Sequence, residues 1–594
     1  MDNVWNKFYP SYLTEQTGSA ANSGDTLYGR LARAAHEYPG RVAYEYWKLK
    51  VTYAGLIDQI DYAAHAWSSV GVREGDTVCL CMGGCPNILI SIYALDKIGA
   101  AVAFCIPDST PEDFRRFAVG TGATYALMSH NQYNTYIEAA KETKIGMIVI
   151  GKYSDYISGV SRLEYIVNPL SIYDKPSCHQ NGIRLCFWDS LMSDTGRKDI
   201  TGASEDVRVC ADNSHTALFF TAISFNEDII ATELSSGAVN LAADKEMFLH
   251  KHSHDVLKRQ SRVLCLNEYC YVYGFTVGVH DVLLSGQTVL LFTWFDCDNI
   301  AYAIKKYKPD ALVAYAGTLA KFNGMIDYRS ALRCVSFIIC GGGLLTSSQK
   351  AGIQNIFDMM RKKCEIHTMN GYDETFSCIY APPDFATDRA FGIPLPGVLM
   401  KVVNKDTLFD EPNATEGEIA VRSDCKCNGY RMKDGSVRSV YDKLTDGRSW
   451  FLTGEIGKES EDGKFYYLGT YRRVFKINNK SVYPVRIDKV VGMCEGVVEV
   501  CSVVIDSITG PVVVSAVVPE ESYFYNNTGM ERLETAINEE CSLILEEEQR
   551  PTDIVFLASI PKHADGAVDY RRLVVRVHEI RDMFANDLPV DEQL

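Results

Sequence analysis

The sequence lacks the features of a membrane-spanning or secreted protein. No uncharged apolar run reaches about 18 residues, the usual minimum for a helix that crosses a bilayer. The N-terminus has no basic segment followed by an apolar run, so no secretory signal is predicted. We therefore expect a cytoplasmic protein without a membrane span.

Basic residues are in the minority. Lys and Arg number 59, whereas Asp and Glu number 76, which gives a formal net charge of −17. A chain this acidic is a poor general binder of nucleic acid. No nucleic-acid partner is therefore expected.

Closely paired cysteines of the zinc-binding kind are absent. The 19 cysteines include no CxxC spacing, and two CxC pairs occur, at Cys79 and Cys81 and at Cys425 and Cys427. A structural zinc site usually needs the wider paired spacing. We interpret the cysteines as reduced, mostly buried thiols.

Three histidines alternate in the segment HKHSH, at His250, His252 and His254. On a strand they would share one face and could bind a metal. Their polar surroundings favour a solvated loop instead, so no metal site is predicted.

Strand-length apolar runs alternate with helix-length amphipathic segments up to about residue 395. This alternation predicts an α/β fold, with mainly parallel sheets that carry helices on both faces. The predicted strands are Asp76–Met82, Ala101–Ile106, Tyr125–Met128, Met147–Ile150, Ser261–Leu266, Thr288–Phe292, Ala311–Ala314 and Cys334–Cys340. The predicted helices are Tyr53–Val70, Asn87–Ile98, Pro111–Val119 and Asp298–Tyr307. Short strands between Gly/Asp turns then predict an antiparallel β region, and a smaller α+β unit follows from about residue 475.

Several motifs occur in one order along the chain. They are GDTVCLCMGGC from Gly75, CGGGLLTSS from Cys340, NGYDETFS from Asn370, FLTGEIG from Phe451 and PKHADGAVDYRRL from Pro561. Together they resemble the adenylate-forming superfamily, which includes acyl-CoA synthetases, peptide-synthetase adenylation domains and luciferases. The resemblance implies a large N-terminal domain over 1–470 and a small mobile C-terminal domain over 471–594.

The resemblance also implies a chemistry, in which a carboxylate and ATP form an acyl-adenylate that is passed to a thiol. The residues that match the family's nucleotide-binding positions are Gly342, Gly343, Tyr372, Thr375 and Glu455. The residues expected to line the acid pocket are Tyr271, Gly274, Gly341 and Met369. The bulky tyrosines suggest a narrowed pocket.

Four positions that carry the family's chemistry are changed. The phosphate-loop lysine falls on Ile229, the metal-binding glutamate on Phe376, the arginine near the ribose on Thr470 and the mobile lysine on Ala567. The loop from Thr221 to Ala231 also lacks the family's glycines, which let the backbone approach a phosphate closely. Of the acidic residues that remain, Glu374 is expected to be a solvated loop residue, and Glu455 either binds the ribose or merely ends a strand.

These changes predict a homologue that has lost acyl-adenylate synthesis and acts as a binding or scaffolding protein. Its expected partners are an acyl group, a carrier protein or an adenosine nucleotide. The alternative is an active acid–thiol ligase, dependent on ATP and Mg²⁺, with an altered phosphate site.

Overall fold

The computed structural model describes most of the chain. The described residues are 4–14, 24–106, 109–157, 182–194, 207–221, 229–293, 297–320, 322, 328–343, 345, 347–383, 385, 390–404, 407–470, 475–477, 480–482, 484–507, 510–524, 527–545, 547–562, 568 and 570–586. They form two compact units, one of Met1–Met400 with Val421–Phe451 and one of Lys401–Ala420 with Leu452–Leu594.

One large sheet of the first unit has a parallel centre. Its strands there, in spatial order, are Ala390–Pro394, Phe376–Ala381, Glu365–Tyr372, Phe337–Gly341, Ala311–Tyr315, Arg262–Cys265, Thr288–Leu290, Val42–Tyr46 and Leu49–Thr52. All neighbours from Glu365–Tyr372 to Val42–Tyr46 are parallel. Their side chains are mostly buried, as expected where helices cover a parallel sheet.

A second sheet of the first unit is also mainly parallel. Its strands, in spatial order, are Val437–Arg438, Gly429–Met432, Ile229–Ser235, Thr216–Thr221, Ala101–Phe104, Thr77–Cys81, Tyr125–Ser129, Met147–Gly151 and Arg184–Phe187. The pairs from Thr216–Thr221 to Arg184–Phe187 are parallel, and those on the other side are antiparallel. A short strand, Tyr441–Lys443, pairs with the residues 449–451.

Several helices of the first unit begin at a capping side chain. Thr52 and Thr110 accept hydrogen bonds from the backbone N–H groups of Gly55 and Asp113, which satisfies free donors of a first turn. The α-helices are Ser11–Thr14, Leu27–Glu37, Tyr53–Ser69, Pro86–Ile98, Pro111–Thr121, His130–Ala140, Trp188–Asp194, Ser236–Glu246, Phe248–Leu257, Val272–Phe275, Asp281–Leu284, Cys297–Tyr307, Ala316–Ala320, Tyr328–Leu332 and Ser347–Met359. Val4–Phe8 is a 3-10 helix and Thr276–His280 a π-helical turn.

The second unit ends in a small α+β layer structure. Strands Val497–Ser507, Gly510–Pro519 and Asp553–Phe556 form its sheet. Val513 and Val514 belong to different cores, because successive side chains of a strand point to opposite faces. The other strands that lie wholly or mostly in this unit are Leu399–Val403, Gly417–Arg422, Ser449–Glu459, Phe465–Thr470, Phe475–Ile477 and Lys480–Val482. Its helices are Pro484–Val491, Glu521–Phe524, Asn527–Ile544, Glu547–Gln549 (3-10) and Tyr570–Asn586.

The predicted α/β fold class is confirmed, and so are the four predicted helices. The described cysteines are free and most are buried, as the sequence indicates. The prediction of a solvated loop at HKHSH is wrong, because these residues lie in the helix Phe248–Leu257 and His250 is fully buried. Among the described residues, no helix combines the length and the apolar character that a bilayer crossing requires.

Candidate functional site

Two parallel strands of the large sheet end side by side in the matched motifs. Phe337–Gly341 runs into the glycine turn, and Glu365–Tyr372 turns through 373–375 into Phe376–Ala381. The side-chain oxygen of Asn370 accepts a hydrogen bond from the backbone N–H of Gly343 at 3.2 Å. Ligands of open α/β sheets bind outside the carboxyl ends of the strands. The two motifs are therefore brought together at the edge where a ligand is expected.

Aromatic rings and backbone cover two of the three glycines. A Cβ atom on Gly341 would lie 2.3 Å from the ring of Tyr273 and 2.5 Å from the carbonyl oxygen of Met369. A Cβ atom on Gly342 would lie 2.2 Å from the ring of Tyr315. Glycine is required at both positions because these neighbours already occupy the space. By contrast, a Cβ atom on Gly343 would meet nothing within 4 Å.

The other expected residues of the acid pocket lie at the short helix Val272–Phe275. Tyr271 precedes this helix, and its ring lies 6.4 Å from that of Tyr315, edge to face. Gly274 faces the backbone instead, since a Cβ atom there would lie 2.1 Å from the carbonyl oxygen of Glu268. Gly274 thus lets the chain pack closely behind the tyrosines.

Two buried polar groups of the strand end have no hydrogen-bond partner among the described residues. Thr375 is fully buried, and its hydroxyl is one of them; the side-chain NH₂ of Asn370 is the other. A buried polar atom without a partner costs about 1–3 kcal/mol. Tyr372, on the same strand end, lies half-buried with its ring 5.5 Å from that of Phe451.

The position of the family's metal-binding glutamate holds a buried phenylalanine. Phe376 is 3% exposed and has a φ of +58°, an uncommon backbone conformation for a bulky residue. Glu374 lies in the turn, as expected, but it is half-buried and its carboxylate is hydrogen-bonded, so it is not freely solvated as the sequence suggested. Its carboxylate accepts a hydrogen bond from the Tyr430 hydroxyl, and its carbonyl oxygen accepts one from Tyr441 at 2.6 Å and one from the N–H of Cys427 at 2.9 Å.

A pair of buried carboxyl groups beside this turn is not found by sequence reasoning. Glu246 accepts a hydrogen bond from the backbone N–H of Ser377 at 2.7 Å, directly after Phe376. Burial raises the pKa of Glu246, and burial together with the negative charge of Glu246 raises that of Asp281. Such a pair is most stable when it shares a proton. The one available signal is Asp281 itself, an acid within the apolar run GVHDVLL.

The position of the phosphate-loop lysine opens a strand. Ile229 is the first residue of Ile229–Ser235 and is 8% exposed, so its side chain contributes to the apolar core. The residues 222–228 of that loop, and Ala567 at the position of the mobile lysine, lie outside the described residues.

In the second unit, Glu455 lies inside the long strand Ser449–Glu459 and does not end it. Thr470 stands directly opposite Glu455, and its hydroxyl donates to the carbonyl oxygen of Gly454 at 3.0 Å. The backbone N–H of Glu455 donates to the hydroxyl of Thr453 at 3.0 Å. The threonine at the position of the family's arginine therefore supports this segment of the strand.

A family model described as "AMP-binding enzyme" matches residues 31–159 and 236–431, just over half of the chain. The chain is 27% identical to the indoleacetate–CoA ligase of Aromatoleum aromaticum over 352 residues, which cover 58% of this chain and 64% of that relative.

Solved structures share the fold over almost the whole chain. The anthranilate CoA ligase AuaEII, in complex with anthranoyl-AMP, matches with a TM-score of 0.72 at 14% identity and covers 94% of this chain and 98% of its own. ATP-bound MatB from Rhodopseudomonas palustris matches with a TM-score of 0.71 at 17% identity, over 93% of this chain and 99% of its own. At such identities the likeness shows the fold alone.

Proposed function

Because the chain belongs to the AMP-binding enzyme family, we propose that it is an AMP-forming acid–thiol ligase with an altered nucleotide site. Its reaction would join a carboxylate to the AMP part of ATP, with release of pyrophosphate, and then pass the acyl group to the thiol of CoA or a carrier protein, with release of AMP. The likeness to an indoleacetate–CoA ligase supports this class of reaction.

The observation that carries the proposal is the buried hydroxyl of Thr375. Among the described residues it has no hydrogen-bond partner, and it stands where the family's nucleotide motif places a threonine. A bound phosphate would supply the missing acceptor once the turn opens to expose this hydroxyl. The partnerless NH₂ of Asn370, on the same strand end, supports a polar ligand as well.

The turn 373–375 offers a magnesium ion two carboxylates, those of Asp373 and Glu374. Phe376 offers no ligand atom, whereas a carboxylate is the kind of oxygen ligand that magnesium prefers. Glu374 would hold the metal, which would offset the charge of the phosphates. Tyr430 orients this carboxylate through its hydroxyl.

The tyrosines around the glycine turn favour a flat, aromatic acid. Tyr273 is partly buried against Gly341, and Tyr271 and Tyr315 meet edge to face beside it. Aromatic side chains bind flat rings through offset or edge-to-face contacts. Aryl acids should therefore be better substrates than long alkyl acids.

Acid-dependent exchange of pyrophosphate into ATP tests the proposal. Glu374→Gln should lower the exchange rate by about 100-fold, the usual effect of losing one charge-stabilising contact. Phe376→Glu should raise it, since it restores a carboxylate. Glu416→Gln, at an exposed position, is the matched control and should leave the rate unchanged. An equal rate in Glu374→Gln and Glu416→Gln would contradict the role of Glu374.

A second candidate function is a binding or scaffolding protein that no longer adenylates. The apolar, buried Phe376 at the metal position favours it. Ala567, without a charge at the position of the mobile lysine, favours it too. This function predicts binding of an aryl acid, AMP or a carrier protein without any pyrophosphate exchange, and no exchange in Phe376→Glu.

A further inference from the structure

Three metal-ligand side chains meet where a central strand of the large sheet begins. His252 lies on the helix Phe248–Leu257, Glu365 opens the strand Glu365–Tyr372, and His367 follows two positions later on the same face. The Nε2 atoms of His252 and His367 lie 3.0 Å and 3.4 Å from the same oxygen, Oε2 of Glu365. One ligand atom from each residue lies within 4.8 Å of the others.

These spacings are those of a tetrahedral metal site. Zinc bonds to imidazole nitrogen and carboxylate oxygen are about 2.0–2.1 Å long, so two ligand atoms at a tetrahedral angle stand about 3.3 Å apart. Both distances to Glu365 are close to this value. The ligand atoms of the remaining pair, His252 and His367, lie within 4.8 Å of each other, and the side chain of His252 is partly exposed at 16%.

Outer contacts hold the two imidazole rings in place. The Nδ1 atom of His367 lies 2.9 Å from the hydroxyl of Tyr380, which in turn lies 2.7 Å from that of Tyr12. When Nδ1–H donates to Tyr380, the Nε2 lone pair of His367 is left for a metal, the arrangement usual for a ligating histidine. Tyr12 also stacks on His252, with ring centres 3.9 Å apart and planes 15° apart.

We propose that His252, Glu365 and His367 bind one zinc-like divalent transition-metal ion. Imidazole nitrogens suit zinc, iron, copper and nickel, whereas magnesium and calcium take oxygen ligands. Lys363 lies 3.4 Å from the other carboxylate oxygen, Oε1, and is 87% exposed, so it leaves Oε2 to the metal. Three protein ligands leave the fourth position to water.

The site is separate from the proposed nucleotide site. Seven residue steps of about 3.3 Å each put Glu365 about 23 Å from the Tyr372 end of its strand. A metal there would not touch a nucleotide bound at the turn. The metal would instead fasten the helix Phe248–Leu257 to the sheet. The proposed metal site therefore does not depend on which of the two candidate functions is right.

Cobalt(II) binding to the full-length chain tests the site, because a tetrahedral cobalt complex absorbs visible light. We expect one cobalt per chain, displaced by one equivalent of zinc. His252→Gln and Glu365→Gln should each weaken cobalt binding by about 100-fold. Losing a residue that only supports a metal ligand already costs about 10–100-fold, and losing a ligand itself should cost at least as much. His254→Gln is the matched control on the same helix and should stay within about twofold of the wild type.

Two results would overturn the proposal. One is no stoichiometric cobalt or zinc binding to the wild type. The other is equal binding by His252→Gln and His254→Gln, when circular dichroism shows both to be folded; the cluster would then be a hydrogen-bond network alone. Both variants change partly exposed side chains, which avoids the fully buried His367.

Discussion

Because His280 is buried in its neutral form, we predict that the folded protein loses stability in mild acid. It is fully buried, and burial lowers its pKa from 6.5 to about 3. Its Nδ1 accepts a hydrogen bond from the Tyr93 hydroxyl at 2.9 Å, and its Nε2–H donates to Asn240 at 3.0 Å. The amide group of Asn240 is oriented this way because its NH₂ donates to the carbonyl oxygen of Asp25. Both ring nitrogens are thus satisfied in the neutral form, which burial favours.

The magnitude follows from linkage. Between pH 7 and pH 5 the unfolded histidine takes up a proton and the folded one does not, so the folded state loses about 2 kcal/mol, at 1.36 kcal/mol per pKa unit. Stability is fully present above pH 6.5 and falls as the pH drops towards 3. The His280→Gln variant should lack this part of the change in unfolding free energy between pH 7 and pH 5. This holds even if the substitution also destabilises the protein at neutral pH through poorer packing.

Urea unfolding at pH 7 and pH 5 measures the difference. The wild type should lose about 2 kcal/mol more than His280→Gln between the two pH values. His36→Gln changes an exposed histidine and should follow the wild type. The same pH dependence in His280→Gln and the wild type would refute the buried neutral imidazole.

Three further substitutions have defined outcomes. Gly371→Ala would put its Cβ atom 1.8 Å from the carbonyl oxygen of Phe376, so thermal unfolding should show a loss of about 3 kcal/mol. Burial raises the pKa of Asp155 to about 6, so Asp155→Asn should stabilise the protein at pH 7 by up to about 3 kcal/mol. This gain should fade as the pH falls below 6, which urea unfolding at pH 7 and pH 4 would measure. Tyr430→Phe removes the hydroxyl that donates to the Glu374 carboxylate and should cost about 1–2 kcal/mol in thermal unfolding.

The fold could be predicted from the sequence because its signals are local. The predicted helix Tyr53–Val70 differs from the observed Tyr53–Ser69 by one residue, and the predicted strand Ala311–Ala314 differs from the observed Ala311–Tyr315 by one residue. Apolar periodicity sets these elements, and a capping residue such as Thr52 fixes where a helix begins.

The candidate sites depend on contacts between distant residues, which no local pattern reveals. His252 contacts Glu365, which lies 113 residues away along the chain. Because His250, His252 and His254 lie on a helix, they do not share one face as they would on a strand. The burial of Phe376 and the contact of Glu374 with Tyr430 follow from how one strand end packs on another. Motif matching identified the turn at 373–375, but it did not show where the side chains of Glu374 and Phe376 lie.

The most direct test of the proposed ligase activity is acid-dependent pyrophosphate release by the wild-type protein, with ATP, Mg²⁺ and a panel of aryl and alkyl acids. The account predicts release that requires both ATP and an acid and is faster with aryl acids. No release with any acid, together with calorimetric binding of AMP or of an aryl acid, would contradict the ligase and favour the non-adenylating binding protein.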